Sequence, residues 1–284
     1  MLLLSPEVTT ALRCCASALP TEQLTDTAAV ERLRCEALKQ APLGVLASLV
    51  RSVVEEQGFA QVRGLPDEGT RVLFPALAAL LGSPFIDPAE GSAVIGAHVR
   101  PSESLMGNQL RHLPLHTDYS MLANPARLTM SLCIEPDPTP GWGALQIADI
   151  EAMCFGVESD LDIQQFMSVA LPFAGRNAAE GVDILESPII SRDAASGRFL
   201  ARYHRSRIRQ GFRVRGTLPT PEQSSMMLAF ERKAAENVET LHLQSGDITV
   251  IDNHRTLHAR TRCSIIVKPD GSTSGRKMQF LFAH

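Results

Sequence analysis

Apolar side chains recur at helical spacing through the first third of the chain. Segments of this kind, in which apolar positions lie three or four residues apart among polar ones, are 21–24, 28–40, 45–57 and 71–81. Gly58 and Gly82 follow the last two segments directly, as glycine often does at a helix end. Between them, 59–64 alternates apolar and polar residues, which predicts a short strand.

The pattern changes near residue 92, where short apolar stretches begin to alternate with Pro, Gly, Asp and Asn. These stretches are 94–99, 127–134, 144–148, 199–203, 248–251 and 278–282. Such spacing is typical of a β-sandwich or jelly roll. One helical insert, 221–240, interrupts the strands and carries Met226, Met227 and Phe230 on one side. With no linker rich in Pro, Gly or Ser, the pattern predicts one α+β domain over 1–284.

Composition and charge narrow the classes of function. The 284 residues are 44% hydrophobic and 20% charged, with a net charge of −4, which argues against a generic nucleic-acid or membrane-surface binder. No apolar run approaches the roughly 18 residues of a transmembrane helix, and residues 1–7 lack the basic start of a signal peptide. The six cysteines form no C-x-x-C pair, so we expect reduced thiols in the cytoplasm.

Three residues are candidates for a metal site. His116 and Asp118 follow the short apolar stretch 113–115, and alternate residues of a strand point to the same face. His258, after the strand 248–251, offers a second imidazole. Two histidines and one carboxylate form a facial triad that leaves three positions of an octahedral Fe(II) open. Alone, the H-x-D pair is a weak signal, because a buried core histidine and a turn aspartate would look the same.

An arginine near the end of the chain adds a second candidate. Arg276 opens the predicted strand 276–282, and its planar guanidinium suits bidentate binding of the far carboxylate of 2-oxoglutarate. Arg260 and Arg262, close to His258, are alternative anchors.

Four segments together carry a family resemblance. They are VVEEQGFAQVRGLP at 53–66, LPLHTDYS at 113–120, GDITVIDNHRTLHAR at 246–260 and GRKMQFLF at 275–282. In this order the chain resembles the Fe(II)/2-oxoglutarate dioxygenases of the taurine dioxygenase and clavaminate synthase-like superfamily. The resemblance implies a double-stranded β-helix, a cupin-like jelly roll, with N-terminal helices and a helical insert packed outside it.

The resemblance also implies the chemistry. His116, Asp118 and His258 are expected as iron ligands and Arg276 as the oxoglutarate anchor, with Fe(II), O2 and 2-oxoglutarate as cofactor and co-substrates. The family's Gly-Gly-x-Thr is replaced by PGWGAL at 140–145, so we expect Ala144 to lack the threonine's contact with oxoglutarate. Asp118 favours hydroxylation, desaturation or cyclisation, because halogenases of this kind lack that carboxylate.

The expected substrate is a small molecule, with an amino acid or amino-acid-derived intermediate of specialised metabolism first and a small carboxylate, sulfonate or other natural-product intermediate second. The polar segment 102–109 either borders the substrate, as that region often does in this superfamily, or is a plain surface loop. Seven arginines occur with no acidic residue between 194 and 216, and three of them, Arg205, Arg207 and Arg209, would share one strand face. They form either a solvated face or a docking surface for an anionic substrate or an acidic carrier.

Two hypotheses from other classes stay open at this point. One is a catalytically silent member of the fold that acts as a binding or scaffold protein. The other is a zinc hydrolase that uses the same three ligands. The sequence indicates neither a nucleic-acid nor a membrane partner, and it leaves the oligomeric state open.

Overall fold

The computed structural model describes residues 1–18, 24–65, 70–100, 106–157, 159–175 and 184–284. Most of the predicted helix 21–24, Pro66 and the first half of the loop 102–109 lie outside these residues. In chain order the elements are β1 (Leu2–Leu3), α1 (Pro6–Ala18), α2 (Thr27–Leu38), α3 (Ala41–Gln57), β2 (Phe59–Arg63), α4 (Thr70–Leu81), β3 (Val94–His98), β4 (Leu113–His116), β5 (Leu128–Glu135), β6 (Leu145–Asp149), α5 (Ile150–Cys154), α6 (Leu161–Ser168), β7 (Leu171–Phe173), β8 (Leu185–Ser187), β9 (Ile190–Arg192), β10 (Phe199–Ala201), α7 (Arg205–Val214), α8 (Pro221–Glu236), β11 (Val238–Leu241), β12 (Ile248–Asp252), β13 (Thr256–Arg260), β14 (Ile265–Val267), β15 (Thr273–Gly275) and β16 (Lys277–Ala283).

Two sheets form the centre of the molecule. The major sheet has the strand order β1-β2-β12-β5-β16-β3, and the minor sheet has the order β11-β6-β13-β4. Alternate residues of both sheets point into a shared core, made of Cys133, Leu145, Ile147, Leu243, Ile251 and Met278. This arrangement agrees with the predicted jelly roll, in which two antiparallel sheets pack face to face.

The N-terminal helices cover the outer face of the major sheet. Their apolar sides pack with Met130 and Leu132 of β5 and with Ile248 and Val250 of β12. Because strand side chains alternate, these residues face the helices while their neighbours face the intersheet core. Helix α3 ends at Gly58, whose φ of +81° is left-handed, as its sequence position predicted.

The segment between β6 and β11 covers the outer face of the minor sheet. Its helices α5–α8 bury a second apolar cluster, to which Ala148 and Leu257 contribute from the minor sheet. The predicted helix 221–240 is too long, because α8 ends at Glu236 and Val238–Leu241 forms the edge strand β11 beside β6. A capping box between Thr220 and Gln223 fixes the start of α8.

The arginine-rich segment is helical where a strand was predicted. Arg205–Val214 forms α7, so Arg205 and Arg209 lie one turn apart on one side while Arg207 points elsewhere. The expectation that all three share one strand face is therefore wrong. Glycine at 211 fits tightly here, since a Cβ would lie 2.3 Å from the carbonyl oxygen of Pro172.

Among the described residues, no single helix is long and apolar enough to cross a membrane. Helices α2 and α3 together have that length and apolar composition, but a bend of 106° lies between them.

Candidate metal and co-substrate site

Two histidines face each other across a strand ladder. Strand β4 is the edge strand of the minor sheet, and its His116 is paired in register with His258 of β13. The two imidazole rings have centroids 4.4 Å apart, and both residues are buried. The ladder therefore fixes the spacing of the two imidazoles through the backbone.

The carboxylate reaches the histidines from a turn, not from the strand. Strand β4 ends at His116, and the residue after Asp118, Tyr119, has a φ of +51°, which is rare for a residue with a side chain. The Asp118 oxygens lie 3.7 Å from His116 Nε2 and 3.1 Å from His258 Nε2. One ligand atom from each residue lies within 4.8 Å of the other two, so the predicted triad is assembled as a cluster.

Neighbouring polar groups hold Asp118 in this position. The Thr129 hydroxyl donates to Asp118 Oδ2 over 2.8 Å. The backbone N–H of Asp118 donates to Asn253 Oδ1 over 2.7 Å, and Asn253 Nδ2 donates to the Asp118 carbonyl over 3.1 Å. Neither Thr129 nor Asn253 was singled out from the sequence, although Asn253 belongs to the quoted IDN motif.

The protonation states of His116 and Asp118 allow them to bind a cation. His116 Nδ1 lies 2.8 Å from the carbonyl oxygen of Pro114, which can only accept, so Nδ1 carries the proton and Nε2 keeps its lone pair. Burial, together with the charge of His258, lowers the pKa of His116 to about 4. Burial acts to raise the pKa of Asp118, but the charge and hydrogen bond of His258 outweigh it and hold that pKa below its usual value.

These groups fit a divalent metal ion of borderline hardness. Two imidazole nitrogens and one carboxylate converge on a shared space, and buried groups of this kind are normally paired or metal-bound. The ring atom of His258 that faces Asp118 is Nε2. Its Nδ1 is buried and has no hydrogen-bond partner among the described residues.

Arg276 is a buried cation at the start of β16. Its guanidinium makes no hydrogen bond or ion pair with any residue in the described ranges, and burial lowers its pKa to about 10, which leaves it charged at neutral pH. The nearby thiols of Cys133 and Cys263 have pKa values raised to about 11 by burial, so neither supplies a counter-charge. A buried charge without a partner is costly, which indicates an anionic ligand.

Gly143 makes room for this arginine. A Cβ at Gly143 would lie 2.8 Å from Arg276 Cδ and 2.9 Å from the Cβ of Asp137. The side chain of Asp137 is itself occupied, because it accepts from the backbone N–H groups of Thr139 and Ser264.

The two alternative anchors are engaged elsewhere. Arg260 is buried and donates to four backbone carbonyls, of Gly107 at 2.6 Å, Gln109 at 2.5 Å, Arg111 at 2.7 Å and Thr261 at 3.3 Å. Arg262 is exposed and stacks on Trp142, with its guanidinium carbon 3.8 Å from the ring centroid. Arg260 thus holds the backbone that leads into β4, and Arg262 packs on the indole ring of Trp142.

Leu145, and not Ala144, faces the inside of the jelly roll. Ile147 is paired with His258 and Leu145 with Arg260, and both apolar side chains belong to the intersheet core. Ala144 precedes β6, and its N–H donates to the Thr261 hydroxyl over 2.9 Å. Because strand side chains alternate, Leu145 and Ile147 point into the intersheet core. The expected absence of the threonine's contact at Ala144 stays a prediction.

A family comparison matches almost the whole of this chain. The model of the family described as "Taurine catabolism dioxygenase TauD, TfdA family" matches residues 21–279. The chain belongs to the TauD, TfdA family. This confirms the resemblance to Fe(II)/2-oxoglutarate dioxygenases that the four motifs indicated, and this member of the family is therefore an enzyme. A search of curated proteins finds no significant match.

Solved structures of oxygenases share the fold of this TauD-family chain. An asparagine oxygenase in complex with Fe(II), 2S,3S-3-hydroxyasparagine and succinate is 19% identical, with a TM-score of 0.76 over 99% of this chain and 92% of that one. The non-heme iron oxygenase OrfP in complex with Fe, succinate and (3S)-hydroxy-L-Arg is 15% identical, with a TM-score of 0.71 over 100% and 93%. The double-stranded β-helix predicted for the fold is thereby confirmed.

Proposed function

We propose that His116, Asp118 and His258 hold Fe(II) and that Arg276 holds 2-oxoglutarate. The observation that carries the proposal is the convergence of two imidazole Nε2 atoms and one carboxylate within 4.8 Å. Two histidines and a carboxylate with open positions are the ligand set of non-heme Fe(II) oxygenases. A structure of OrfP with Fe and alpha-ketoglutaric acid, which has a TM-score of 0.71 to this chain, supports the choice of metal and co-substrate.

The bound iron and 2-oxoglutarate supply the chemistry, which is the activation of O2 for the oxidation of a C–H bond. The chain's own residues orient the reactants and shield them from water. Arg276 binds the C5 carboxylate by paired N–H donors, and the apolar wall of Leu145, Ile147 and Met278 keeps water from the space between the sheets. Pro114 and Asn253 fix the orientations of His116 and Asp118, so little reorganisation is needed when substrate binds.

The substrate that we propose is an amino acid or an amino-acid-derived intermediate, hydroxylated at an unactivated carbon. Support comes from the asparagine oxygenase and from OrfP, whose structures contain hydroxylated asparagine and arginine. The family description, which names taurine catabolism, keeps a small carboxylate or sulfonate as the second candidate. Asp118 supplies the carboxylate that halide-transferring relatives lack, which favours hydroxylation, desaturation or cyclisation.

The proposal is tested by replacing each ligand singly with alanine. His116→Ala, Asp118→Ala and His258→Ala are each expected to weaken Fe(II) binding, measured by anaerobic titration, and to abolish succinate release from 2-oxoglutarate. His254→Ala is the matched control, since its ring contacts the Pro125 carbonyl outside the cluster. Normal Fe(II) affinity and activity in the His258 variant would exclude it as a ligand.

The family match decides against the two alternatives that the sequence left open, a catalytically silent scaffold and a zinc hydrolase, because the chain belongs to a family of dioxygenases.

A further inference from the structure

A cavity with a basic lining lies at the edge of the minor sheet, directly beside His116. Its volume is about 260 Å³. Its lining includes Leu115 and His116 of β4, Arg111 on the approach to β4, and Arg205 and Arg209 of α7. A ligand in this cavity therefore lies against a residue of the proposed metal site and against three arginine side chains.

The charge of the cavity is not neutralised by its own lining. Among the described residues, no carboxylate lines it. Arg205 is paired with Glu231 at 2.7 Å, and the same glutamate accepts from the Tyr203 hydroxyl, so this arginine is partly committed to the fold. Arg111 and Arg209 are exposed, and their side chains make no ion pair or hydrogen bond with any residue that the structure describes.

The helical form of the 205–214 segment is what concentrates this charge. Residues four apart lie on the same side of a helix, so Arg205 and Arg209 both reach the cavity. The helix also begins at Arg205, which places the positive end of its dipole at the same wall. Arg213, one turn further along, is exposed but does not line the cavity.

We propose that the substrate carries an oxyanion group, a carboxylate or a phosphate, which Arg111 and Arg209 bind in this cavity. The inference rests on the proposed function and deepens it, because it names the group that fixes the substrate next to His116. The apolar side chain of Leu115 lies beside the arginines, so the bound group is anionic at one end with an adjoining apolar part. Guanidinium groups bind planar or tetrahedral oxyanions through paired N–H donors.

The first experiment measures anion binding without turnover. Inorganic phosphate is added to the Fe-free protein in the presence of saturating 2-oxoglutarate and Zn²⁺, and the rise in melting temperature is recorded, since a ligand of the folded state stabilises it. The rise should be largely lost in Arg111→Gln/Arg209→Gln, corresponding to a Kd about 10- to 100-fold higher. It should persist in Arg213→Gln.

Equal stabilisation of wild type and the double variant would overturn the proposal, because phosphate would then bind outside this cavity. Added NaCl should reduce the effect in wild type, since exposed charges are screened over about 8–10 Å at moderate ionic strength. This readout does not depend on dioxygenase activity, so it separates a failure of the cavity from a failure of the proposed function.

The second experiment identifies the source of the oxyanion. Substrate-stimulated succinate release is measured for L-amino acids and for the same amino acids as carboxamides, and then for aminoacyl-pantetheine with and without its phosphate. Preference for the free acid assigns the cavity to a carboxylate, and preference for the phosphorylated tether assigns it to phosphate. Either preference should fall about 10-fold in Arg209→Gln and stay in Arg213→Gln. A substrate accepted equally with and without its anionic group would overturn the proposal.

Discussion

The side-chain amide of Asn253 makes hydrogen bonds with both the backbone N–H and the carbonyl of Asp118. Its Oδ1 accepts from the Asp118 N–H over 2.7 Å, and its Nδ2 donates to the Asp118 carbonyl over 3.1 Å and to that of Ala126 over 2.9 Å. Asn253 follows β12 in the major sheet, whereas Asp118 follows β4 in the minor sheet. One buried amide thus ties the carboxylate turn to the opposite sheet.

Replacing this amide is expected to loosen the metal site without unfolding the protein. Asn253→Asp keeps an acceptor for the Asp118 N–H but removes both donated hydrogen bonds, and we expect Fe(II) to bind about 10- to 100-fold more weakly. The measurement is an anaerobic Fe(II) titration, together with the ratio of succinate released to product formed. His254→Ala, at the next position, serves as the control. Unchanged Fe(II) affinity in the Asn253 variant would show that the turn is held without the amide.

The Arg276 prediction concerns affinity for 2-oxoglutarate. A charged hydrogen-bonded pair contributes about 1.5–3 kcal/mol, and a buried one costs more to break, so Arg276→Ala should raise the KM for 2-oxoglutarate roughly 10-fold to 1000-fold. The KM of Arg276→Lys should lie between those of wild type and Arg276→Ala, because an ammonium cannot form the paired contact. Arg262→Ala should leave this KM unchanged. If Arg276→Ala kept a wild-type KM for 2-oxoglutarate while Arg262→Ala raised it, the anchor would be Arg262 and not Arg276.

Gly143 and Gly141 form a matched pair of glycines. Both have left-handed φ values, of +64° and +82°, so alanine strains the backbone at either position. Only at 143 does the new Cβ collide with Arg276, while at 141 no atom lies within 4 Å. We expect Gly143→Ala to raise the KM for 2-oxoglutarate about 10-fold through displacement of the arginine. Gly141→Ala should cost stability alone, and equal KM effects from both variants would contradict the steric argument.

Arg255 is predicted to matter for stability and not for ligand affinity. It is paired with the carboxylate of Asp149 and donates to the carbonyls of Glu55 at 2.6 Å and Glu56 at 3.1 Å, at the end of α3. Arg255→Met should lower the free energy of unfolding by about 3 kcal/mol, because Asp149 and the helix carbonyls lose a buried partner. Urea denaturation measures this. Arg127→Met, whose side chain is mostly exposed near Asp252, should change it little.

Much of the fold was predictable because the deciding interactions are local. Helix α3 and its end at Gly58 follow from periodicity and glycine placement, and the apolar stretch 113–115 placed His116 at the end of a strand. The strand β13 that carries His258 was not predicted from the sequence. The segment 205–209 was not predictable in this way, since arginines at alternate positions fit a strand and a helix equally well. Tertiary packing decides it, because Ile208 and Phe212, four residues apart, are buried together in the cluster under α7.

The site was predictable in its ligands but not in its supports. The spacing of His116 and Asp118 suggested one strand face, yet Asp118 lies in a turn that is held by residues more than a hundred positions away, such as Asn253. The family resemblance favoured Arg276 over Arg260 as the anchor, but the sequence could not show what each guanidinium contacts. The three-dimensional arrangement shows that Arg260 donates to four backbone carbonyls, whereas the Arg276 guanidinium donates to none in the described part of the chain.

The pairing of His116 with His258 has a mechanical consequence. Among the described strands, β4 has one neighbour in its sheet, β13, so it is an edge strand. If Fe(II) binds as proposed, one imidazole from each strand and Asp118 beyond the end of β4 would hold it, and the ion would cross-link β4 to β13. Loss of the metal would then loosen β4 from β13 as well as stop the chemistry, and a loosened edge strand can pair with strands of other chains. In this protein the supply of iron would govern how long the enzyme survives and not only how fast it works.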